Sequence, residues 1–363
     1  MVTIAFTGGG TGGHIYPGLA VIERLKQRIE CRVVWIGSSV GMDRSIVESA
    51  GVEFIGVPSG KLRRYLSPRN LADFFRVGAG FVASRLALAR LKPVLLFSKG
   101  GFVSVPPCAA AASLGIPVFT HESDYSPGLA TRLNARWAER VLVAYPQTVA
   151  GLSAAARPRA VVAGNPIRSA FFRADPERGR RFLGVGAEER ILLVLGGSQG
   201  ARQVNDLIRA VLGRLTERYV VVHQTGPASD IPAEKPPRYL PFEYIKDELP
   251  DILAAAELVV GRSGAGTVWE AAAAGKPMLL VPLCGEGTRG DQVENAAYFA
   301  RAGAAVSLTG DEANPERFLA EALRIADDGE LRAAMAAASE RTGKGDAAET
   351  ISAMIADRIG ATE

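Results

Sequence analysis

The sequence predicts an α/β protein made of two doubly wound, Rossmann-like domains. Short β-rich runs alternate with helical segments, glycine-rich turns join strand ends to helix starts, and this pattern restarts after residue 165. A chain of 363 residues also exceeds what one hydrophobic core usually supports. Because ligands of such sheets bind at the carboxyl ends of the strands, where the glycine turns lie, we expect the two domains to face a cleft.

The first half opens with a strand, a glycine turn and a helix. A β-rich run at 2–6 leads directly into the glycines of 8–13, and apolar residues at helical spacing follow over 17–29. Pro17 is acceptable only in the first turn of that helix. Further strands are predicted at 33–36, 94–97 and 118–120. The regular alternation predicts a parallel sheet covered on both faces.

The second half repeats this order. An apolar run at 191–195 enters the glycine turn 196–201, a helix is predicted over 204–215, and a strand follows at 219–222. A finer repeat supports the division, because the alanine-rich helices before Gly115 and Gly275 each end at a glycine and precede a strand. We place the linker near 163–167.

Composition excludes several classes of protein. Apolar runs are too short for a transmembrane helix, and the N-terminus enters a strand without the basic region of a signal peptide, which predicts a protein that stays in the cytoplasm. The three cysteines are far apart and lack metal-ligand spacing. Residues 1–165 carry 19 basic and 9 acidic side chains, and the remainder carries 23 and 29. A basic half indicates an anionic partner, such as a nucleic acid, a membrane face or an anionic substrate.

The stretch 261–275 is the strongest candidate for a ligand site. A strand at 258–260 ends in a turn containing Gly264 and Gly266, and a helix is predicted from about Thr267 to Gly275. The free N–H groups of a helix start suit a phosphate. Glu270, expected in the first turn, is either a ribose ligand or a carboxylate that simply pairs with the helix dipole.

Three ligand classes are compatible with glycine loops. A dinucleotide site after 8–13 requires an acidic residue at the end of the second strand, but that strand ends at Gly37 and Ser38. No phosphate-binding loop of the nucleotide hydrolases is present either. The third class is a nucleotide-sugar. No Asp-x-Asp pair is present to hold its diphosphate through a metal, so backbone amides and a helix end would have to neutralise the leaving group.

Seven motifs, in order along nearly the whole chain, resemble those of the MurG family. They are Thr7-Gly-Gly-Gly-Thr-Gly-Gly-His14, His121-Glu122, Gly164-Asn-Pro-Ile-Arg168, Gly196-Gly-Ser-Gln-Gly-Ala201, Arg262-Ser-Gly-Ala, Thr267-x-x-Glu270 and Gln292-x-x-Asn-Ala296. The resemblance implies an inverting GT-B glycosyltransferase that transfers N-acetylglucosamine from UDP-N-acetylglucosamine to the membrane-held acceptor lipid I, giving lipid II for peptidoglycan synthesis. It implies a peripheral protein on the cytoplasmic face of the inner membrane, with no nucleic-acid partner.

The resemblance also implies roles for individual residues. Arg168 and Ile245 would flank the uracil, Ser198 would donate to a phosphate, and Gln292 would reach the sugar hydroxyls. The residues that would cover phosphate and ribose are Ala265, Gly266, Thr267, Val268, Trp269 and Glu270. Thr11, Gly12 and Gly13 would belong to the substrate site of the first domain. No cofactor or metal is implied, and stimulation by Mg²⁺ stays open.

Two residues compete for the role of catalytic base. His14 ends the first glycine loop, and an imidazole there can take the proton of the acceptor's C4 hydroxyl or contact its pyrophosphate. Glu122 follows a strand end and ranks level with it, and Asp124 is a further rival. The resemblance also makes position 124 a substrate-binding position that contacts the sugar. The family commonly has Asn where this chain has Asp124, so an amide that donates and accepts is replaced by a carboxylate that only accepts hydrogen bonds. The loop 283–291 also departs from the common pattern, which affects the alignment of Gln292.

A basic, apolar segment between Lys61 and Lys92 has two interpretations. It is either a helix facing the core or an amphipathic surface that binds an anionic leaflet. We expect domains at 1–165 and 166–346, and a helix over 347–363 that packs back on the first. Two alternative functions remain, a glycolipid synthase acting on diacylglycerol and a non-catalytic nucleotide-sugar binding subunit.

Overall fold

The computed structural model describes residues 1–60, 69–197, 200–227, 236–285 and 288–360, with side chains of the segment 69–91 described from residue 74 onward. The chain divides into two compact units. The first comprises Met1–Arg168 and Asp346–Glu363, and the second comprises Ser169–Gly345. The sequence-based boundary lay after residue 165.

Thirteen strands lie in the described part of the chain. In chain order they are β1 (Val2–Thr7), β2 (Cys31–Ser38), β3 (Glu53–Val57), β4 (Leu95–Ser98), β5 (Val118–Glu122), β6 (Arg140–Val143), β7 (Ala160–Val162), β8 (Ile191–Leu195), β9 (Val220–Gln224), β10 (Tyr239–Phe242), β11 (Leu258–Gly261), β12 (Met278–Leu280) and β13 (Ala305–Ser307). Each strand predicted from the sequence is present, within two residues at either end.

Thirteen α-helices of the described residues separate these strands. They are α1 (Tyr16–Arg28), α2 (Asp43–Ser49), α3 (Arg69–Leu91), α4 (Val105–Ser113), α5 (Leu129–Asn134), α6 (Pro176–Leu183), α7 (Arg202–Thr216), α8 (Leu249–Ala255), α9 (Ala265–Ala273), α10 (Asp291–Arg301), α11 (Pro315–Asp327), α12 (Gly329–Gly343) and α13 (Ala347–Arg358). Among them, none combines the length and the hydrophobicity needed to cross a bilayer.

Both sheets are parallel and share one topology. The first has the order β3-β2-β1-β4-β5-β6-β7 and the second β10-β9-β8-β11-β12-β13. Ile4 of β1 pairs with Val33 on one side and Leu95 on the other. In each sheet the strand order reverses beside the first strand, and loops at such a reversal form the binding crevice of doubly wound folds. The loops after β1 and β4, and after β8 and β11, therefore mark the expected binding crevice of each unit.

The central strands are buried along their whole length. All five residues of β8 are inaccessible or nearly so, as are the four residues of β4. Continuous apolar runs of this kind arise because helices cover both faces of a parallel sheet. The cores fix the position of each strand's carboxyl end, and with it the start of the following loop.

Helix α13 packs within the first unit, although it follows the second in the chain. Asp346 caps the helix by accepting a hydrogen bond from the Glu349 amide at 3.0 Å, and it also pairs with Arg24 of α1 at 2.6 Å. Ile351 and Ile355 lie in the apolar core beside α1. A helix cap contributes about 1 kcal/mol, so burial of the apolar face is the larger contribution to docking.

Candidate active site

Asp43 fixes the first glycine loop through hydrogen bonds to its backbone and to the end of β2. This fully buried carboxylate accepts hydrogen bonds from the Gly10 amide at 2.9 Å and the Ser38 amide at 3.0 Å. Gly9 has a φ of +155°, and a Cβ atom there would lie 1.9 Å from the Asp43 carboxylate. Glycine is therefore required for packing as well as for backbone conformation.

His14 lies at the end of this loop, against the loop that follows β4. The turn Gly12–His14 leads into α1, and the imidazole packs on Gly101, where an added Cβ would lie 2.9 Å from the ring. His14 is half-buried, whereas Thr11 and Gly13 are exposed. The imidazole thus sits at the carboxyl end of the first sheet, at the reversal of strand order.

Glu122, the last residue of β5, holds the segment that follows it. Its buried carboxylate, 6% exposed, accepts hydrogen bonds from the Asp124 amide at 3.0 Å, the Gly128 amide at 2.8 Å and the Thr131 hydroxyl at 2.7 Å. These three donors occupy most of its acceptor capacity. The carboxylate therefore shapes the loop that carries Asp124.

His121 and Ser123, on either side of Glu122, hold the segment before Arg168. His121 Nε2 lies 2.8 Å from the Gly164 carbonyl oxygen, and the Ser123 hydroxyl donates to Asn165 Oδ1 at 2.6 Å. Burial lowers the pKa of His121 well below its usual value, and the charge of Lys99 lowers it further. His121 is therefore a neutral structural side chain at physiological pH.

Arg168 stacks on an aromatic ring of the same unit. Its guanidinium carbon lies 5.1 Å from the centre of the Tyr16 ring, at the start of α1. Such a cation–π contact contributes about 0.5–1 kcal/mol at a partly exposed site. The contact holds Arg168 close to the loop that ends at His14.

In the second unit, α9 begins at Ala265 with Gly264 as its N-cap, and Glu270 lies in its second turn. The expected first-turn position of Glu270 is wrong because the helix begins two residues earlier than predicted. Neither Gly264 nor Gly266 has a positive φ, so the backbone enters the helix without a left-handed turn. A Cβ atom added at either glycine would meet nothing within 4 Å. The helix end is thus open for a ligand.

The other residues predicted to contact the donor differ in how deeply they are buried. Thr267 is half-buried beside the open end, whereas Val268 and Trp269 point into the core, where Trp269 packs edge-on against Phe299 at 5.5 Å. Gln292, in the first turn of α10, accepts a hydrogen bond from the Leu283 amide at 3.0 Å. Its backbone oxygen accepts one from Ser263 at 2.6 Å, which brings α10 to the loop after β11.

Of the two remaining predicted donor-site residues, only Ile245 lies in the described part of the chain. Ile245 is buried, and its amide donates to the side chain of Gln224 at 3.0 Å. Ser198 lies outside the described residues.

Sequence reasoning assigned no role to three charged side chains near these strand ends, Asp43, Lys99 and Arg262, although Arg262 stands in one of the family motifs. Arg262 directly follows β11, and burial lowers the pKa of its guanidinium. Each could have been found by one signal, a charged residue just beyond the carboxyl end of a buried strand or at the start of the next helix. Within the described ranges, no group of three His, Cys, Asp or Glu side chains is placed to hold a metal ion.

Two family models match the chain. The glycosyltransferase family 28 N-terminal domain matches residues 4–143, and the C-terminal domain of the same family matches residues 191–351. The chain is 51% identical over 339 residues to a Treponema denticola protein named UDP-N-acetylglucosamine--N-acetylmuramyl-(pentapeptide) pyrophosphoryl-undecaprenol N-acetylglucosamine transferase, covering 88% of this chain and 87% of the relative. A Lachnospira eligens protein of the same name is 39% identical, with 90% and 92% covered.

The chain belongs to the MurG family of glycosyltransferases. Solved structures agree on the fold. The Acinetobacter baumannii MurG crystal structure superposes with a TM-score of 0.73 at 23% identity, covering 98% of this chain and 99% of that one. The calicheamicin glycosyltransferase CalG4 gives 0.68 at 19% identity, with 99% and 98% covered. The predicted GT-B fold and the prediction of a glycosyltransferase are confirmed.

Proposed function

We propose that this MurG-family enzyme transfers N-acetylglucosamine from UDP-N-acetylglucosamine to the C4 hydroxyl of the muramyl sugar of lipid I, giving lipid II for peptidoglycan synthesis. The names of the relatives support this donor and acceptor. The observation that carries the assignment of ligands to units is the open start of α9, where Gly264 and Gly266 leave space beside free helix N–H groups.

The donor binds the second unit in this proposal. The amides at the start of α9 take the diphosphate, and Glu270, one turn further along, takes the ribose hydroxyls. Ile245 contacts the uracil, Ser198 donates to a phosphate and Gln292 contacts the sugar. Backbone amides then neutralise the charge that develops on the leaving diphosphate.

A titration of activity with EDTA and Mg²⁺ tests whether a metal contributes.

The acceptor binds the first unit, and His14 is the base that we favour. Glu122 already accepts three hydrogen bonds from its own loop and is buried. His14 is half-buried at the loop surface. The C4 oxygen attacks the anomeric carbon, the bond from that carbon to the phosphate oxygen breaks, UDP leaves with the electron pair, and His14 takes the hydroxyl proton. Attack from the face opposite the leaving group inverts the configuration.

The surface of α3 supports docking to an anionic bilayer. Leu88 packs one face of this helix into the core, whereas Phe74, Phe75, Val82 and Leu86 are 55–67% exposed. Arg76, Arg85 and Arg90 are exposed on the same helix, and residues 74–92 include no acidic side chain. Basic residues near an anionic surface contribute about 1 kcal/mol each. In this proposal the surface docks on the cytoplasmic face of the inner membrane, where the lipid tail anchors the acceptor. The part of this segment at 61–68 lies outside the described residues.

Vesicle sedimentation tests the docking surface. The double variant Phe75→Ser/Leu86→Ser should bind phosphatidylglycerol vesicles at least about tenfold more weakly than the wild type, because two apolar anchors are lost. The matched control is Phe172→Ser, an exposed aromatic of the second unit. Equal loss in the control, or none in the double variant, rules out α3 as the docking surface.

A transfer assay tests the function itself. Purified protein given UDP-N-acetylglucosamine and a soluble lipid I analogue should form the disaccharide. Product formation only with diacylglycerol would favour a glycolipid synthase instead. Donor binding without any product would favour a nucleotide-sugar binding subunit.

A further inference from the structure

Lys99 is a buried cation that the proposed reaction does not use. It follows β4 directly and is 1% exposed, although lysine almost never lies fully inside a protein without a partner. Its backbone amide donates to the Thr7 carbonyl oxygen at 2.8 Å, which fixes it beside the first glycine loop. An added Cβ on Gly8 would lie 3.2 Å from the Lys99 Cβ.

The ammonium of Lys99 joins two segments of the first unit. It donates to the Ser123 hydroxyl at 2.5 Å, and this hydroxyl in turn donates to Asn165 Oδ1 at 2.6 Å. Ser123 lies between Glu122 and Asp124 in the chain. Lys99 therefore connects the end of β4 to the acidic segment after β5 and to the segment that leads to Arg168.

Burial and the neighbouring charges together set the pKa of Lys99. Burial lowers the pKa of Lys99 to about 8, and the carboxylates of Glu122 and Asp124 act in the opposite direction. The ionisable groups that interact with it are these two carboxylates and His121, all from the β5 side. A buried ammonium is stable only with such compensation, and removing one partner of a buried pair leaves the other charge uncompensated.

We propose that Lys99 is a positioning residue of the acceptor site, whose ammonium neutralises the carboxylates of Glu122 and Asp124 and fixes their loop through Ser123. This inference rests on the proposed function, because that function assigns the first unit, which carries this loop, to the acceptor. It accounts for a carboxylate at position 124, since a charged side chain there has a buried counter-charge.

Removal of the Lys99 charge tests this role. Lys99→Met should raise the KM for the lipid I analogue and lower kcat/KM for it at least about tenfold, while the KM for UDP-N-acetylglucosamine stays within about twofold. Asp124→Asn in the Lys99→Met background should recover part of that loss, because one of the two carboxylates that lose their counter-charge is then neutral. A side chain that only fills space would show no such recovery. Lys26→Met, an exposed lysine of α1, is the matched control and should behave as the wild type.

The outcomes separate this inference from the proposed function. Wild type that forms no disaccharide overturns both. With active wild type, the inference alone falls if Lys99→Met keeps wild-type acceptor kinetics, or if the double variant is as inactive or as poorly folded as Lys99→Met. Thermal unfolding and UDP binding report whether each variant is folded. Recovery of folding or of acceptor kinetics in the double variant supports the charge pair.

Discussion

The loops after β4 and β11 hold the same place in their sheets, and yet they are built differently. Each follows the strand beside the first strand of its unit. In the β4 loop, Gly101 has a φ of +78° and an added Cβ would lie 2.7 Å from the Gly9 carbonyl oxygen. In the β11 loop, Gly264 and Gly266 have open space beside them. Glycine therefore permits close packing in the first unit and leaves room for a ligand in the second.

This difference in packing suggests a different chemical role for each loop. A loop filled by His14 and Lys99 offers side chains that act on protons and fix a neighbouring segment. An open helix start offers backbone N–H groups, which suit a diphosphate. Substitutions in and around the two loops should therefore differ in their effects.

Replacing His14 should have the largest effect on the reaction. His14→Ala should lower kcat by about 10²–10⁴, the range for loss of a general base, with UDP binding unchanged. Transient kinetics with saturating donor measures this step. A kcat within threefold of wild type in a folded His14→Ala protein would return the role to Glu122 or Asp124.

Close packing in the β4 loop predicts a large loss of stability. Gly101→Ala should lower the free energy of unfolding by about 3 kcal/mol, since it adds both a backbone clash and a left-handed alanine. Gly115→Ala is the matched control, because Gly115 also has a positive φ of +70° but open space around it. It should cost about 1 kcal/mol. If urea denaturation showed equal losses of stability for the two variants, the close packing around Gly101 would contribute nothing to the effect.

The buried histidine of the second unit predicts a pH dependence. His223 bonds to Tyr239 and Asn205 at 3.0 Å each, and burial, with a smaller contribution from Arg209, lowers its pKa to about 4. Between pH 6.5 and 4 the unfolded chain binds the extra proton, so stability is full above 6.5 and is lost as the pH falls. The loss should reach about 2 kcal/mol at pH 5. Denaturation of His223→Gln should lose this part of the slope while the contribution of buried His121 stays, and an unchanged slope would assign it elsewhere.

Open space at the start of α9 predicts the smallest change in stability. Gly266→Ala should raise the free energy of unfolding by about 0.5–1 kcal/mol, because alanine is the better helix residue and meets nothing. The same methyl group should raise the KM for UDP-N-acetylglucosamine and leave that for the acceptor unchanged. A variant with an unaltered donor KM would place the diphosphate elsewhere.

Local patterns predicted the central strands of both sheets because buried parallel strands leave continuous apolar runs, as at 191–195. They did not predict the outer strands β3, β6, β7, β10 and β13, or most of the helices. The start of α9 was misjudged because Ala265 and Gly266 suit a turn and a helix equally well. The contacts of Asp43 with Gly10, and of Lys99 with Ser123, join residues 33 and 24 positions apart. Pairings of this kind depend on strand order, which no local pattern contains.

Hydrogen exchange with and without UDP tests the division of roles most directly. The first amides of α9 lack intrahelical acceptors, so they should exchange rapidly in the free protein and slowly with UDP bound. We predict UDP protection over residues 264–267 and none over residues 8–13. Protection over 8–13 without any over 264–267 would contradict the assignment of the donor to the second unit.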